Sequence, residues 1–367
     1  SGQPPDLRFM QKRMCNKMVT TKSKILTLLE KNRGQALSGS AMARALGISR
    51  SAVWKSMEEL RREGHEIEAV PNKGYSLSAG SDILSAEGLL LWLNHPSITM
   101  DKIHIYKNTG STNQDAKKMA VAGAGHGTLI LAEEQTEGRG RLGRSFFSPK
   151  GAGIYMSLIL RPRGTAEEAV LTTTAAAVAV CRAISKISGI EAGIKWVNDI
   201  FIGDQKVCGI LTEAMSDFQT GCVESLILGI GLNVTTSLEH FPEEIRSTAG
   251  SLLSESRSHV SYSPILRNRL IAAILDELFE LIARPDSKDL MNEYRARSFV
   301  PGKWITVYRG NEIYEAKALD IDSRGSLIIE KADGSIDTLR SGEVSIRPKN
   351  VKGEVSIRPK RMEGRNI

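Results

Sequence analysis

Three short apolar blocks at helical spacing, followed by a stretch of alternating residues, leave residues 22–80 very few ways to fold. Lys22–Asn32 (KSKILTLLEKN) puts Ile25, Leu26, Leu28 and Leu29 on one face of a helix that stops at Gly34. Ser38 or Ser40 can cap a second helix through Leu46, and after a tight Gly47-Ile48-Ser49 turn Ser49 can cap a third, to about Glu63. In the third helix Val53, Met57 and Leu60 face inward, which leaves Arg50, Ser51 and Lys55 at its outer N-terminal end. His65–Leu77 then alternates Ile67, Ala69, Tyr75 and Leu77 around Pro71-Asn72-Lys73-Gly74, the pattern of a β-hairpin with Asn72 and Lys73 at its tip. Together these pieces are expected to form a winged helix-turn-helix.

Charge sets this segment apart. Residues 1–80 hold 14 Lys and Arg against 7 Asp and Glu, while the other 287 residues hold 35 of each, so the whole excess of +7 sits at one end. A basic module on a neutral body points to a polyanion. On this fold DNA is expected, with Arg50, Ser51, Lys55, Asn72 and Lys73 facing it, although a solvated basic tail would give the same count and a helix-turn-helix can also serve packing or protein contact alone. Elsewhere the composition is ordinary: 41% hydrophobic and 25% charged residues in a chain of 367 allow a full core in about two or three domains, and exclude disordered, collagen-like and coiled-coil chains. No run approaches the roughly 18 apolar residues of a membrane helix, and the first residues lack a signal peptide's apolar stretch. A cytoplasmic protein with no membrane partner is expected. Cys15, Cys181, Cys208 and Cys222 lie far apart with no CxxC pair, and are expected as reduced thiols.

From Ile103 the chain alternates strand and helix: IHIYKN, STNQDAKKMAVAG, TLILAEEQ, a Gly/Arg loop and IYMSLILRP. Thr165–Ser188 reads as an Ala-rich helix, Ile194–Ile202 with Lys206–Ala214 as a hairpin turning at Gly203-Asp204, and Glu224–Val234 as a further strand. A mixed-sheet α/β domain is expected. After a Leu- and Ile-rich helix at about Ser263–Ala283, Pro301–Arg347 alternates between Gly-containing turns as a small antiparallel barrel does. The octapeptide GEVSIRPK at Gly342–Lys349 recurs at Gly353–Lys360, far too short a period for a solenoid.

The loop Glu137–Arg144 (EGRGRLGR) interleaves Arg139, Arg141 and Arg144 with Gly138, Gly140 and Gly143. Glycine lets backbone approach a ligand and arginine donates paired hydrogen bonds to carboxylate or phosphate, so the loop is an anion clamp by composition; a disordered basic linker has the same composition. It does not match the Walker A spacing. Gly138–Gly151 (GRGRLGRSFFSPKG), Lys195–Ile200 (KWVNDI) and Lys206–Glu213 (KVCGILTE), in that order, resemble the biotin-protein ligase family. Ser111-Thr112-Asn113, Gln135 and Gly229–Asn233 (GIGLN) are similar to its biotin and adenylate segments. The winged helix ahead, with VPNKGYSL, resembles that of the bifunctional ligases that also repress biotin genes. The resemblance runs from about residue 22 to residue 349.

This resemblance implies an enzyme that makes biotinyl-5′-adenylate from biotin and ATP, with Mg2+, and passes biotin to a lysine of a biotin carboxyl carrier protein. It also implies an adenylate-bound homodimer that represses genes on operator DNA. Arg139 and Lys206 would be the catalytic groups at the carboxylate or phosphate, and Arg139, Arg141 and Arg144 would order over the adenylate. Ser111, Thr112, Asn113, Gln135, Gly138, Gly140, Phe146, Gly209, Leu211, Gly231 and Asn233 would surround biotin and adenylate. Asn198, Asp199 and Arg347 would fall on the ATP side, with no dedicated protein metal site, and Thr235–Leu252 would fold over the adenylate as a second loop. Plainer readings exist: Ser111-Thr112-Asn113 is also a helix N-cap, Lys206 a solvated turn residue, and the glycines ordinary strand packing.

Two positions depart from the family pattern: Val197 stands where proline is usual, and Phe146 where tryptophan is. The first frees a fixed φ and the second keeps an aromatic face without an indole donor, so altered affinity rather than lost chemistry is expected. The expected division is a disordered extension (1–21), a winged helix-turn-helix DNA-binding domain (22–80), a catalytic domain (81–298), an SH3-like domain (299–349) and a tail (350–367). A rival reading keeps the repressor and makes the ligase-like domain a biotin sensor without turnover.

Overall fold

The structure, a computed structural model, describes residues 20–162, 166–216, 223–254, 267–284, 288–310, 312–340 and 342–346. Cys15, Cys222, Arg347, the second GEVSIRPK copy and the expected start of the Ser263–Ala283 helix lie outside the described residues, as do almost all of 1–21 and the whole of 350–367.

At the N-terminal end, α1 (Thr21–Lys31), α2 (Gly39–Leu46) and α3 (Arg50–Glu63) bury Ile25, Leu26, Leu29, Met42, Ala43, Val53, Met57 and Leu60 in one core. Ile67 and Leu77 close it from a hairpin, β1 (Ile67–Val70) and β2 (Gly74–Leu77), in which they are paired. Ser49 Oγ accepts from the Ala52 N–H at 3.1 Å and so caps α3. Ser38, not Ser40, occupies the N-cap position of α2. The segment is a winged helix-turn-helix, with Arg50, Ser51, Lys55, Asn72 and Lys73 all exposed.

The central domain is a seven-stranded sheet in the order β3-β4-β5-β9-β8-β7-β6, with only β3 and β4 parallel. Its strands are β3 (Ile103–Tyr106), β4 (Thr128–Ala132), β5 (Gly153–Leu160), β6 (Gly193–Lys195), β7 (Asp199–Ile202), β8 (Gln205–Ser216) and β9 (Val223–Asn233). Every residue of β4 and β5 is buried, which is why they read as continuous apolar runs. On one face α5 (Thr112–Val121) packs Ala116 and Ala120 against Ile130, Ile159 and Ile227. The other face is covered by α6 (Ala166–Ser188) and, packed on α6, α8 (Arg267–Ile282). Val170–Ser188 does match a membrane span in length and composition, contrary to the expectation above. Burial of Ala175–Cys181, Ala183 and Ile184 under the sheet accounts for that apolarity.

Beyond α9 (Lys288–Arg297), the strands β10 (Trp304–Arg309), β11 (Glu312–Ile321), β12 (Leu327–Lys331), β13 (Ile336–Leu339) and β14 (Glu343–Ile346) form an antiparallel sheet in the order β13-β12-β11-β10-β14. Inward residues such as Ile305, Val307, Ala316, Leu327 and Val344 give it a buried face, consistent with the SH3-like expectation. The Trp196 Nε1–H donates to the Gly325 carbonyl at 2.9 Å, pinning this sheet beside the start of β7.

The winged helix is tied to the catalytic domain by polar groups rather than a shared apolar core. The Arg33 guanidinium donates to the carbonyls of Ser78 and Ser81 at 3.2 and 2.7 Å and to Glu30, which is itself buried. The next residues meet Arg267, which is 1% exposed. Its side chain donates to Asp82 Oδ2 at 2.9 Å, Glu133 Oε2 at 2.7 Å and the Gly153 carbonyl at 3.2 Å, while its N–H donates to Asp82 Oδ1 at 2.8 Å. Asn268 clamps the same segment, accepting from Ser85 N and donating to the Ile83 carbonyl. A short helix, α4 (Ala86–Trp92), then packs on both α1 and α8.

Removing one partner of a buried ionic group strands the others without solvent. Arg267→Met is therefore expected to destabilise the chain by about 3–5 kcal/mol in urea denaturation. An unchanged midpoint would show that Asp82 and Glu133 are adequately solvated without it.

Candidate functional site

One cleft of about 1040 Å³ opens at the ends of the central strands and reaches the C-terminal sheet. It is lined by Ser111, Thr112, Asn113, Gln135, Arg139, Gly140, Arg141, Arg144, Phe146, Asn198, Asp199, Lys206, Gly209, Leu211, Gly231 and Asn233, so the fold brings these sequence-predicted residues together from widely separated segments. Gly138 stands outside this lining; a Cβ there would lie 2.3 Å from the Phe146 carbonyl oxygen and 2.7 Å from Ser148 Oγ. Arg347 is outside the described residues. The five DNA-facing candidates lie on the winged helix, apart from the cleft.

The inner end of the cleft is a polar network at the N-terminus of α5. Ser111 holds the N-cap position, yet its side chain makes no capping bond. Gln135 Oε1 accepts from both the N–H and the hydroxyl of Thr112, at 2.9 and 3.0 Å, and its amide donates to Ser148 Oγ at 2.8 Å. Ser157 Oγ lies 2.8 Å from Thr112 Oγ1 and 2.5 Å from Asn113 Oδ1, and the Asn113 amide donates to Glu213 at 2.9 Å. Buried amides and hydroxyls fixed in this way present donors and acceptors in set directions.

The floor depends on missing side chains. A Cβ on Gly231 would sit 2.6 Å from the Phe146 ring, and one on Gly229 would sit 2.2 Å from Asn113 Oδ1. Gly209 faces the same ring and the Lys206 side chain, each at 3.5 Å. Phe146 lies edge-on to Tyr155 with ring centres 6.5 Å apart, and thus closes the apolar part of the cleft. Asn233 donates to the Gly250 carbonyl at 3.0 Å, while its Oδ1 is buried with no hydrogen-bond partner among the described residues, an acceptor open to a ligand donor.

Cations line the outer end. Lys206 Nζ pairs with Asp199 Oδ1 at 2.7 Å, and the Lys206 backbone bonds Thr248 and Gly250, which seats the 235–252 segment against β8. The arginine loop is ordered by Gly140 N–H to the Arg144 carbonyl at 2.7 Å and by an Arg139–Ser145 bridge. Arg141 reaches out of it to Asn198 Oδ1 and to the Gly342 carbonyl, both at 3.0 Å, and Arg144 pairs with Glu343 at 2.6 Å. Asn198 in turn donates to the Ile210 carbonyl at 2.6 Å, in the turn where the Trp196–Val197 peptide bond is cis. Such a set of cations can bind a polyanion and stabilise charge growing on it.

Sequence reasoning missed several participants. Lys195 lines the cleft half-buried, and burial holds its ammonium below the usual lysine range despite the pull of Asp199. Its signal was present, since it opens the KWVND segment. Ser157 was legible as the one polar residue within IYMSLIL. Glu213, Phe147 and Phe241 lie inside segments already singled out, KVCGILTE, GRGRLGRSFFSPKG and Thr235–Leu252, but nothing there marks Glu213 as a partner of Asn113 or the two phenylalanines as a pair with ring centres 5.9 Å apart.

Residues 106–233 match the biotin/lipoate A/B protein ligase family, residues 21–76 a helix-turn-helix domain, and residues 302–347 the biotin protein ligase C-terminal domain. The bifunctional ligase/repressor BirA of Bacillus spizizenii is 35% identical over 89% of this chain and 99% of its own length. That of Escherichia coli is 28% identical over 89% of this chain and 98% of its own. Among solved structures, the biotin protein ligase from Aquifex aeolicus in complex with biotin and ATP superposes with a TM-score of 0.55 at 26% identity, covering 67% of this chain and 98% of that one. With a relative of this identity matched over its whole length, and three successive segments matched in order, the chain belongs to the family of bifunctional biotin protein ligase/repressors.

Proposed function

We propose that the cleft joins biotin to AMP and passes it to a lysine of a biotin carboxyl carrier protein, and that the adenylate-bound chain dimerises to repress on operator DNA. The observation that carries this reading is the single cleft in which a fixed amide and hydroxyl network lies at one end and arginines and lysines lie at the other. Biotin's ureido ring, with one acceptor and two donors, suits Ser111, Thr112, Asn113 and Gln135; its bicyclic body suits the Phe146–Gly231 floor. The valeryl carboxylate then points toward Arg139 and Lys206. Because ATP is consumed, we infer a cytoplasmic setting.

In the first step a carboxylate oxygen of biotin attacks the α-phosphorus of ATP, forming the mixed anhydride as pyrophosphate leaves. Both reactants are anions, so cations must offset their repulsion and the charge growing on the phosphate. Lys206 serves here by giving up its ion pair with Asp199, and Arg139 and Arg141 by closing over the anhydride and keeping water from it. In the second step the carrier's lysine amine attacks the acyl carbon and AMP departs. Asp199 and Asn198 are the oxygen donors on the ATP side, and no group of three or more His, Cys, Asp or Glu gathers among the described residues. This donor set fits a Mg2+ held mainly by the nucleotide's own phosphates, where it would draw off negative charge.

The test is ATP- and biotin-dependent labelling of a carrier domain, with pyrophosphate release followed in the same tube. Tight biotin binding without pyrophosphate would favour the rival sensor. Lys206→Ala is expected to slow adenylate formation by about 100-fold or more; unchanged pyrophosphate release would reduce Lys206 to a turn residue. Arg141→Ala frees the loop from Asn198 and Gly342, so adenylate should dissociate faster and label exposed lysines less selectively, which equal dissociation rates would refute. Gly231→Val pushes a side chain into the Phe146 ring and should raise the biotin Kd about tenfold or more by calorimetry. An unaltered Kd would remove Gly231 from the binding floor.

A further inference from the structure

Two tryptophans are more than half exposed, Trp304 on β10 and Trp54 on α3, and of these Trp54 lies on the basic N-terminal module. Trp54 is 58% exposed in the second turn of α3, and among the described residues it has no hydrogen-bond, ion or ring partner. By contrast Trp92, also exposed, carries the Arg269 guanidinium 5.0 Å above its ring, and Trp196 is buried and hydrogen-bonded. The inner face of α3 is already complete with Val53, Ser56, Met57 and Leu60. Trp54 therefore contributes nothing to the core that a lysine or glutamine would not; a single exposed indole is ordinary by itself, and what points to a ligand is the set of cations around it.

Its neighbours define that ligand. Trp54 lies one turn beyond Arg50 and three residues beyond Ser51, and Lys55 adjoins it, so the four form one exposed patch near the N-terminal end of the helix. No acidic residue occurs in the first turn, and the first in the helix is Glu58. Arg44 and the hairpin-tip Lys73 add exposed positive charge on the same module. The patch is cationic with an apolar centre, which fits duplex DNA: cations for phosphates and guanine edges, and an apolar surface for what the major groove offers it, the thymine 5-methyl group.

We propose that Trp54 reads a thymine through its 5-methyl group in each half of the DNA site. This rests on the DNA-binding reading above and adds to it a base preference. Arg50 and Lys55 supply contacts to phosphates and guanine edges; Trp54 supplies discrimination for thymine. Exposure in the free protein keeps the ring available, and the cost of its solvation is recovered when the methyl is buried.

The experiment is selection of binders from a random-sequence duplex library by the full chain with biotin and ATP, in parallel with W54A and W54F. The wild-type chain should enrich a two-fold motif. W54A should enrich the same motif with one thymine in each half degenerate, W54F should keep that thymine, and carrier labelling by both variants should match wild type, showing that they fold. On the selected duplex, deoxyuridine at that thymine should weaken wild-type binding about fourfold per half-site, as expected for one methyl group, and W54A binding not at all. Retention on unrelated duplex and its salt dependence should stay the same in W54A. If W54A selects the wild-type motif with full affinity, or deoxyuridine is equally harmless to both proteins, the proposal falls while DNA binding stands. If the wild-type chain enriches no motif, the DNA reading fails and this proposal with it.

Discussion

A fully buried arginine sets the geometry of this chain. Arg267 stands at the start of α8, and its guanidinium holds Asp82 from the segment after the winged helix, Glu133 from the end of β4 and the Gly153 carbonyl from the start of β5. Such a group is stable only when every donor is met and each carboxylate is spoken for. The segment before α4, two neighbouring strands and α8 therefore have one common arrangement. Glu133 lies two residues before Gln135, so the same tie that seats the winged helix also fixes the entry to the amide network of the cleft. It forms a continuous physical path between the two working ends of the molecule, without any shared apolar core between them.

The cleft itself is shaped by opposite means at its two ends. Inside, shape comes from absence: Gly229 and Gly231 on β9 leave room for Asn113 and Phe146, whose positions are then dictated by contact. Outside, it comes from charge held in reserve. Lys206 leans on Asp199, Arg144 on Glu343 and Arg141 on Asn198, so each cation has a partner of modest worth at a partly exposed site. An anion entering the cleft competes with these partners rather than with bulk water alone. The clamp is thereby ordered before its ligand arrives.

Much of this was legible in the sequence. The Ser49 cap, the three winged-helix helices, the turn at Gly203-Asp204 and most strands of the central sheet follow from local periodicity and punctuation, where the decisive neighbours lie within a few residues; Ile194–Ile202, read as one arm of a hairpin, instead folds back on itself as β6 and β7. Arg267 was not legible: its partners Glu133 and Asp82 stand 134 and 185 residues away, and nothing in RNRL marks it as buried. The same distance hid Glu213, which meets Asn113 from 100 residues further along the chain. Segment α6 misleads in the other direction, because a helix buried between a sheet and another helix has the composition of one buried in lipid. Motif order located the cleft residues; only the fold revealed that Gly138 supports the lining rather than joining it.

The anchoring of the arginine loop bears on how the protein is made. Arg141 takes its carbonyl partner from Gly342, 201 residues later, and Arg144 takes its carboxylate from the following residue, at the head of the last described strand. At roughly 5–20 residues per second, the loop leaves the ribosome on the order of ten to forty seconds before its anchor exists. Through that interval the sheet β3–β9 can assemble and present its floor of glycines and its network of amides. A chain stalled short of β14 would thus already have somewhere for a ligand to sit, with its clamp held by Asn198 but lacking Gly342 and Glu343.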